Sequence, residues 1–138
     1  MTGTEQPLVL ASQSASRKAM LAAAGVTFRA VPAHLDERAV EAGITGGAEQ
    51  IALGLAAAKA LAVSHGEPGA LVLCSDSLVE VARRRFDKLR SRDEAAEHLR
   101  FYSGKVMHLH SAAALARDGA IIWQNAAMAS LHIIDISE

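Results

Sequence analysis

The fold is indicated first by residues 8–24, which read LVLASQSASRKAMLAAA. Residues 8–11 form an unbroken apolar run, which is typical of a strand buried on both faces. The run rich in Ala, Leu and Lys that follows predicts a helix over residues 17–24, with Ser14 or Ser16 as its N-cap. A strand that enters a helix through a serine-rich turn is typical of an α/β fold.

The rest of the chain continues this alternation of strands and helices. Its pattern predicts strands over residues 26–31, 70–75, 78–81, 106–116 and 120–134, and helices over residues 48–65 and 91–101. Residues 36–47 are less regular, and Asp118-Gly119 is a hairpin signal. We therefore expect one α/β domain over residues 1–138, with a mixed sheet flanked by helices.

The composition excludes several classes of protein. The net charge of the 138 residues is −1, which rules out the strongly basic surface of a general nucleic-acid binder. No apolar stretch approaches the roughly 20 residues of a membrane span, and residues 1–6 lack the pattern of a secretory signal. The single cysteine, Cys74, is predicted to be a buried structural thiol. We expect a cytoplasmic protein without nucleic-acid or membrane partners.

Two turns are candidates for carrying chemistry. Residues 12–17 place three serines and Arg17 where a helix begins, and the free N–H groups and helix dipole there suit a phosphate. The alternative is that the serines only cap the helix. Asp76 directly follows an apolar strand, so we expect it at the carboxyl edge of the sheet, where it could ligate Mg²⁺ or accept a proton from water. The alternative is a turn-forming aspartate between two serines.

The other polar candidates are scattered along the chain. Glu37 stands in what is predicted to be a solvated turn, and Lys59 in an apolar helix from which a lysine usually reaches water. Lys88 stands in an exposed stretch. These three residues form a site only if the fold brings them together.

The histidines and the tryptophan give no further site. The six histidines lack zinc-like spacing, so His108 and His110 are interpreted as ordinary strand residues. Trp123 is predicted to lie in the core.

Taken in chain order, these pieces resemble the Maf family, the septum-formation-inhibitor-like proteins that are nucleoside triphosphate pyrophosphatases. In the first half of the chain, residues 8–17 match the family's strand and A-S-x-S-P-R-R, Asp36-Glu37 match its acidic position, and Ala58-Lys59-Ala60 match its helix lysine. Further on, residues 73–77 match its G-A-D-T and Phe86-Asp87-Lys88 match its segment ending in K-P. Ser103-Gly104-Lys105 match its S-G turn. No single stretch is specific for the family. The ordered series of stretches from residue 8 to residue 111 is specific for it.

The resemblance implies a mixed α/β domain with a central cleft, an architecture shared with inosine triphosphate pyrophosphatases. It implies hydrolysis of a nucleoside triphosphate, either a pyrimidine or a non-standard nucleotide, to the monophosphate and pyrophosphate. Such an enzyme would cleanse the nucleotide pool, and the family is linked to inhibition of septum formation. The implied cofactor is a divalent cation, Mg²⁺ or Mn²⁺.

The resemblance also implies a set of site residues. It assigns substrate binding to Ser12, Ser14, Arg17, Lys59 and Lys88, catalysis to Asp76, Lys59 and Lys88, and metal binding to Glu37 and Asp76. In this set, Asp76 would activate the attacking water and the cations would neutralise the triphosphate.

The chain departs from the family pattern in places. Ala15 and Ser16 replace a proline and an arginine, which removes one phosphate contact, and Leu89 replaces a proline. The chain ends at Glu138, about where the family domain enters its last third. We expect residues 120–134 to form an exposed edge, so that this chain is weakly active or inactive, or forms a homodimer that covers the edge. The alternatives are a nucleotide-binding regulatory protein of the same fold that lacks activity, and an α/β interaction domain without a ligand.

Overall fold

The structure is a computed structural model that describes residues 8–86 and 91–136. Its elements are, in chain order, β1 (Leu8–Leu10), α1 (Ala15–Ala23), β2 (Arg29–Ala30), α2 (Glu37–Ala42), α3 (Ala48–Ser64), β3 (Leu71–Val81), β4 (Arg84–Phe86), α4 (Arg92–Tyr102), β5 (Val106–Arg117) and β6 (Ala120–His132). The six strands form one sheet in the order β2-β1-β3-β5-β6, with β4 paired to β3. Strand β1 is parallel to β2 and β3, and the other pairs are antiparallel. The prediction of a mixed α/β sheet is confirmed.

The first strand–turn–helix unit follows the sequence closely. Ser14 is the N-cap of α1, and its Oγ atom accepts a hydrogen bond from the backbone N–H of Arg17 at 3.3 Å. The helix therefore begins at Ala15, two residues earlier than predicted. It ends at Ala23 with Ala24 as its C-cap, and Gly25 follows with a φ of +77°, which suits a residue without a side chain. No residue of α1 is fully buried, and the Ser14 cap stabilises the helix by about 1 kcal/mol.

Strand β3 is continuous, whereas the sequence predicted two strands separated by Asp76. It runs from Leu71 to Val81 because β5 pairs with it along the whole of Val72–Val81. On the opposite edge, β1 pairs with β3 only as far as Leu73, and β4 pairs from Val79 onward. Within the described part of the chain, residues 74–78 thus have no strand partner on that edge. This interruption beside β1 is called the gap below.

Helix α3 packs on one face of the sheet. Its buried residues Ala52, Ala56, Ala60 and Val63 join the core with β3 and β5. Small side chains let the helix backbone approach the strands closely, which compensates for the scarcity of aromatic residues. Among the described helices, none is long and apolar enough to cross a membrane.

The stretch predicted to be irregular contains a short helix, α2. Asp36 is its N-cap, and Oδ1 of Asp36 accepts hydrogen bonds from the N–H groups of Arg38 and Ala39 at 3.1 and 3.2 Å. The chain after α2 then lies against α3, where a side-chain carbon on Gly54 would stand 2.5 Å from Cδ1 of Ile44. The glycine inside α3 is therefore explained by the close approach of this segment.

The last two strands form the predicted hairpin. Asp118 and Gly119 both have positive φ, 50° and 76°, as a two-residue turn of this kind requires. The N–H of Gly119 donates a hydrogen bond to Oγ of Ser64, which ties the turn to the end of α3. Strand β6 pairs only with β5 among the described residues, and most of its side chains are exposed. The predicted exposed edge is present.

Candidate functional site

The candidate site is a groove of about 730 Å³ at the gap. Because β1 ends there, side chains from α1, α2 and α3 reach the free edge of β3, and the groove continues across the sheet to β6. A second cavity of about 700 Å³ adjoins it along the β1–α1 turn. The two cavities share six lining residues: Ser14, Ser16, Arg17, Glu37, Lys59 and Ser75.

Three residues predicted from the sequence meet at this point. The Nζ atom of Lys59 lies 2.9 Å from Oε1 of Glu37 and 3.6 Å from Oδ2 of Asp76. Burial acts to lower the pKa of Lys59, but the hydrogen bond to Glu37 and the charges of Asp76 and Glu37 outweigh it, so that the pKa is raised above 10.5. Lys59 is therefore a fixed cation at neutral pH, held between two carboxylates.

Asp76 does not lie at the end of a strand, as the sequence predicted, but in the middle of β3. It is nevertheless three residues beyond Leu73, where the pairing with parallel strand β1 ends, so it faces the crevice that the prediction required. Its Oδ1 atom accepts a hydrogen bond from the N–H of Ser77 at 2.9 Å. Its Oδ2 atom is buried and has no hydrogen-bond partner among the described residues. That oxygen is available to a ligand.

The serine-rich turn has both of the roles considered for it. Ser14 is the helix cap, and the Oγ atom of Ser12 accepts a hydrogen bond from the N–H of Ser14 at 3.0 Å, so capping and turn formation use these hydroxyls. Arg17 is half-buried, lines both cavities and forms no ion pair with any described residue. The turn therefore presents a guanidinium and the positive end of α1 to the groove.

Two further site residues were predicted, Glu37 and Lys88. Glu37 is the first residue of α2 and not part of a solvated turn, because Asp36 caps the helix just before it. Its side chain is more than half exposed and reaches Lys59 from the rim of the groove. Lys88 lies outside the described residues, so its role stays a prediction.

Sequence reasoning missed the wall of the groove that β6 provides. Trp123, predicted to be a core residue, is 48% exposed and lines the groove together with Asn125 and, from α1, Met20. The prediction was wrong because β6 is an edge strand in the described structure, so its apolar side chains are not covered. The alternation of Trp123, Asn125 and Ala127 was the available signal, since residues two apart on a strand share a face.

Cys74 and the two strand histidines lie where the sequence indicated. Cys74 is buried, and its Sγ atom donates a hydrogen bond to the carbonyl oxygen of Ala11 at 3.2 Å. Burial raises the pKa of this thiol to about 11. His108 and His110 lie on β5, where the Nδ1 atom of His108 is 3.1 Å from Oγ of Ser130. In the described residues no three His, Cys, Asp or Glu side chains are grouped so as to hold a metal ion.

Two carboxylates nevertheless fit a cation that is shared with a substrate. Oδ2 of Asp76 is buried without a hydrogen-bond partner among the described residues, and Glu37 faces the same groove. Mg²⁺ is usually held by one or two carboxylates, with water and substrate phosphates as its other ligands. The donor set present therefore suits a metal–phosphate complex and not a cage made of protein alone.

Comparison with known proteins identifies the family. The chain belongs to the Maf-like protein family, whose family model matches residues 7–138. It is 45% identical over 135 residues to a protein from Nitrobacter hamburgensis named nucleoside triphosphate pyrophosphatase. The match covers 96% of this chain and 66% of that relative. It is 43% identical over 129 residues to a protein from Mesorhizobium japonicum named 7-methyl-GTP pyrophosphatase. That match covers 91% of this chain and 65% of the relative. The chain thus spans slightly less than two thirds of the length of these curated relatives.

A solved structure shares the fold. A HAM1 protein from Coxiella burnetii matches with a TM-score of 0.57 at 14% sequence identity, over 91% of this chain and 71% of that chain. At this identity the likeness concerns the fold alone, and it confirms the fold class expected from the sequence.

Proposed function

We propose that the protein hydrolyses a nucleoside triphosphate to the monophosphate and pyrophosphate. The observation that carries the proposal is the contact of Lys59 with Asp76 and Glu37 at the gap, beside the N-terminus of α1 and Arg17. Cations and anions gathered at one groove suit a triphosphate and the metal that accompanies it. The names of the curated relatives support the same activity.

In this proposal the cations bind and stabilise the triphosphate. Arg17 and the free N–H groups at the start of α1 bind phosphate oxygens, with Ser12 and Ser14 shaping the turn and offering hydroxyls. Lys59, whose pKa is raised, stays protonated and neutralises charge as it develops on the pyrophosphate. We assign the same task to Lys88, on the resemblance alone.

The carboxylates in the groove take the complementary tasks. Oδ2 of Asp76 accepts a proton from a water molecule whose oxygen attacks the α-phosphorus. A phosphorus–oxygen bond to that water forms, the bond from the α-phosphorus to the bridging oxygen breaks, and pyrophosphate leaves with the bonding electron pair. Asp76 and Glu37 would also hold Mg²⁺ or Mn²⁺, which would neutralise phosphate charge when bound.

Pyrophosphate release tests this proposal. Standard and 7-methylated nucleoside triphosphates are incubated with the protein and Mg²⁺ or Mn²⁺, with EDTA as the metal-free reference. We expect Asp76→Asn to lower kcat by about 100-fold or more, because amide nitrogen and oxygen cannot take up the proton. The matched control is Asp93→Asn, which makes the same change at an exposed residue in the first turn of α4. Equal turnover by Asp76→Asn and the unaltered protein would refute the role of Asp76.

A second candidate function is nucleotide binding without hydrolysis, in a regulatory protein of the same fold. It is favoured by Ser16, which stands where the family pattern has an arginine and so removes one phosphate contact from the groove. Tight binding of a triphosphate with no pyrophosphate release in either metal would select it. Cleansing of pyrimidine or non-standard nucleotides, the link to septum formation and a cytoplasmic location belong to the first proposal and stay predictions.

A further inference from the structure

The wall of the groove opposite the charged residues has the character of a base-binding surface. The register of the strands aligns Leu73 with Leu115 and Trp123, and Ser75 with Ala113 and Asn125. Alternate residues of a strand share a face, so these two rows lie side by side on one face of the sheet. In the row that contains Ser75 and Asn125, the middle residue is Ala113, whose side chain is small. The surface there is a shallow floor with the indole of Trp123 at one side and the amide of Asn125 at its end.

The same groove joins this floor to the charged residues. Ser75 lines both cavities, and the first cavity is lined by Lys59 and Asp76 as well as by Trp123 and Asn125. Asn125 lies two strands away from Ser75, or roughly 10 Å across the sheet. That span is comparable with the extent of a nucleoside whose phosphates lie at the gap. Met20, which is 68% exposed, reaches the groove from α1 on the other side.

We propose that the indole of Trp123 stacks on the nucleobase of the substrate and that the side-chain amide of Asn125 hydrogen-bonds the edge of the base. The proposal rests on the function proposed above, because it places the phosphates of the same molecule beside Lys59 and Arg17. Indole is a flat, polarisable surface that binds any base, and an amide supplies both a donor and an acceptor. Exposure of a large aromatic side chain in a groove that also holds fixed charges is thereby explained.

Tryptophan fluorescence gives a direct readout, because Trp123 is the single tryptophan in the sequence. The proteins are titrated with GTP and, as a probe that carries phosphates only, with inorganic triphosphate. GTP is expected to quench the emission of Trp123. Inorganic triphosphate is expected to compete with GTP for the groove without quenching.

Kinetics of matched variants give the second readout. Trp123→Ala is expected to raise KM for GTP by about 10-fold, the usual effect of losing one stacking partner, with kcat changed by less than about threefold. Trp123→Phe is expected to keep most of the affinity, because phenylalanine retains a ring. The control is Met128→Ala, since Met128 is 57% exposed on the same strand but does not line the groove. The inhibition constant of inorganic triphosphate is expected to be equal in all four proteins.

The outcomes separate this inference from the function on which it rests. Pyrophosphate release with no quenching by GTP, and with a KM for Trp123→Ala within about twofold of the parent, would overturn the stacking role and leave the hydrolase proposal intact. Quenching by GTP, with no pyrophosphate released from any of the standard and 7-methylated triphosphates, would support stacking and refute the hydrolase. A protein that binds neither GTP nor inorganic triphosphate would overturn both.

Discussion

The Oδ2 atom of Asp76 faces the Nζ atom of Lys59 across 3.6 Å, and it has no hydrogen-bond partner among the described residues. Both side chains are largely buried, with 14% and 17% of their surfaces exposed. The pair is too long for a strong hydrogen bond, and the same lysine is closer to Glu37. A phosphate oxygen or a cation can therefore enter between these groups without breaking a tight contact.

Replacing Lys59 tests that arrangement. Lys59→Met keeps the length of the side chain and leaves Asp76 facing an apolar group. We therefore expect the free energy of unfolding to fall by about 1–3 kcal/mol. Loss of a fixed cation from the triphosphate should lower kcat/KM by about 100-fold. Lys18→Met is the control, because Lys18 belongs to α1 but lines neither cavity. Denaturant unfolding and pyrophosphate release measure the two effects, and equal values for both variants would contradict the role of Lys59.

The serine turn gives a prediction that separates capping from direct contact. Ser14→Ala removes the acceptor for the N–H of Arg17. This should lower the stability of α1 by about 1 kcal/mol and raise KM for the nucleotide. Ser14→Asn restores a good cap without the hydroxyl. If Ser14 acts only as the cap, Asn restores KM; if its hydroxyl also binds phosphate, Asn restores α1 but not KM. Hydrogen exchange of the α1 amides follows the cap independently of turnover.

Burial of Cys74 predicts a loss of stability in alkali. Burial raises the pKa of this thiol from 9.0 to about 11, so above pH 9 the unfolded chain releases a proton that the folded chain keeps. Stability is therefore complete below pH 9 and falls as the pH rises, by about 1.4 kcal/mol at pH 10 from this group. Ionisation of Lys59 and Tyr102, whose pKa values are raised from 10.5 and 10.0, acts in the same direction at higher pH.

Cys74→Ala isolates the contribution of the thiol. Urea unfolding between pH 9 and 10 should show a steeper loss of stability for the parent than for Cys74→Ala, whatever the variant's stability at neutral pH. Parallel curves for the two proteins would show that the folded thiol ionises as easily as the unfolded one.

The exposed strand β6 predicts self-association of this chain. Its outer edge has no strand partner in the described structure, and Ile122, Met128 and Leu131 are about half exposed. Two such edges can pair with each other, and a charge on the strand opposes that pairing. We expect sedimentation to show a concentration-dependent homodimer that Leu131→Lys shifts towards the monomer. A parent chain that stays monomeric at millimolar concentration would refute this prediction.

The sequence predicted the elements better than the contacts between them. Ser14, Gly25 and Asp118-Gly119 are local signals, because caps and tight turns depend on the conformation of one or two residues, and each is found where it was expected. The uninterrupted β3 was missed because its continuity comes from β5, whose residues pair with it from Val81 with Met107 to Val72 with Ala116, far apart in the chain.

The candidate site shows the same limit. Lys59 and Glu37 looked solvated when considered singly, and only the ordered family resemblance grouped them with Asp76. Their meeting depends on where β1 ends relative to β3, which no local signal shows, and on α2, whose six residues are too few for a helical pattern. Trp123 was assigned to the core because an apolar alternating strand does not show whether a neighbour covers it.

The position of Asp76 inside a long strand affects how the site responds when heat or denaturant unfolds the protein. Many sites are carried by loops, which open locally well before the whole molecule melts. Here the backbone on either side of the carboxylate is held by the ladder to β5. Heat or denaturant can displace this backbone only by separating two central strands, so Asp76 should keep its position until the sheet itself melts.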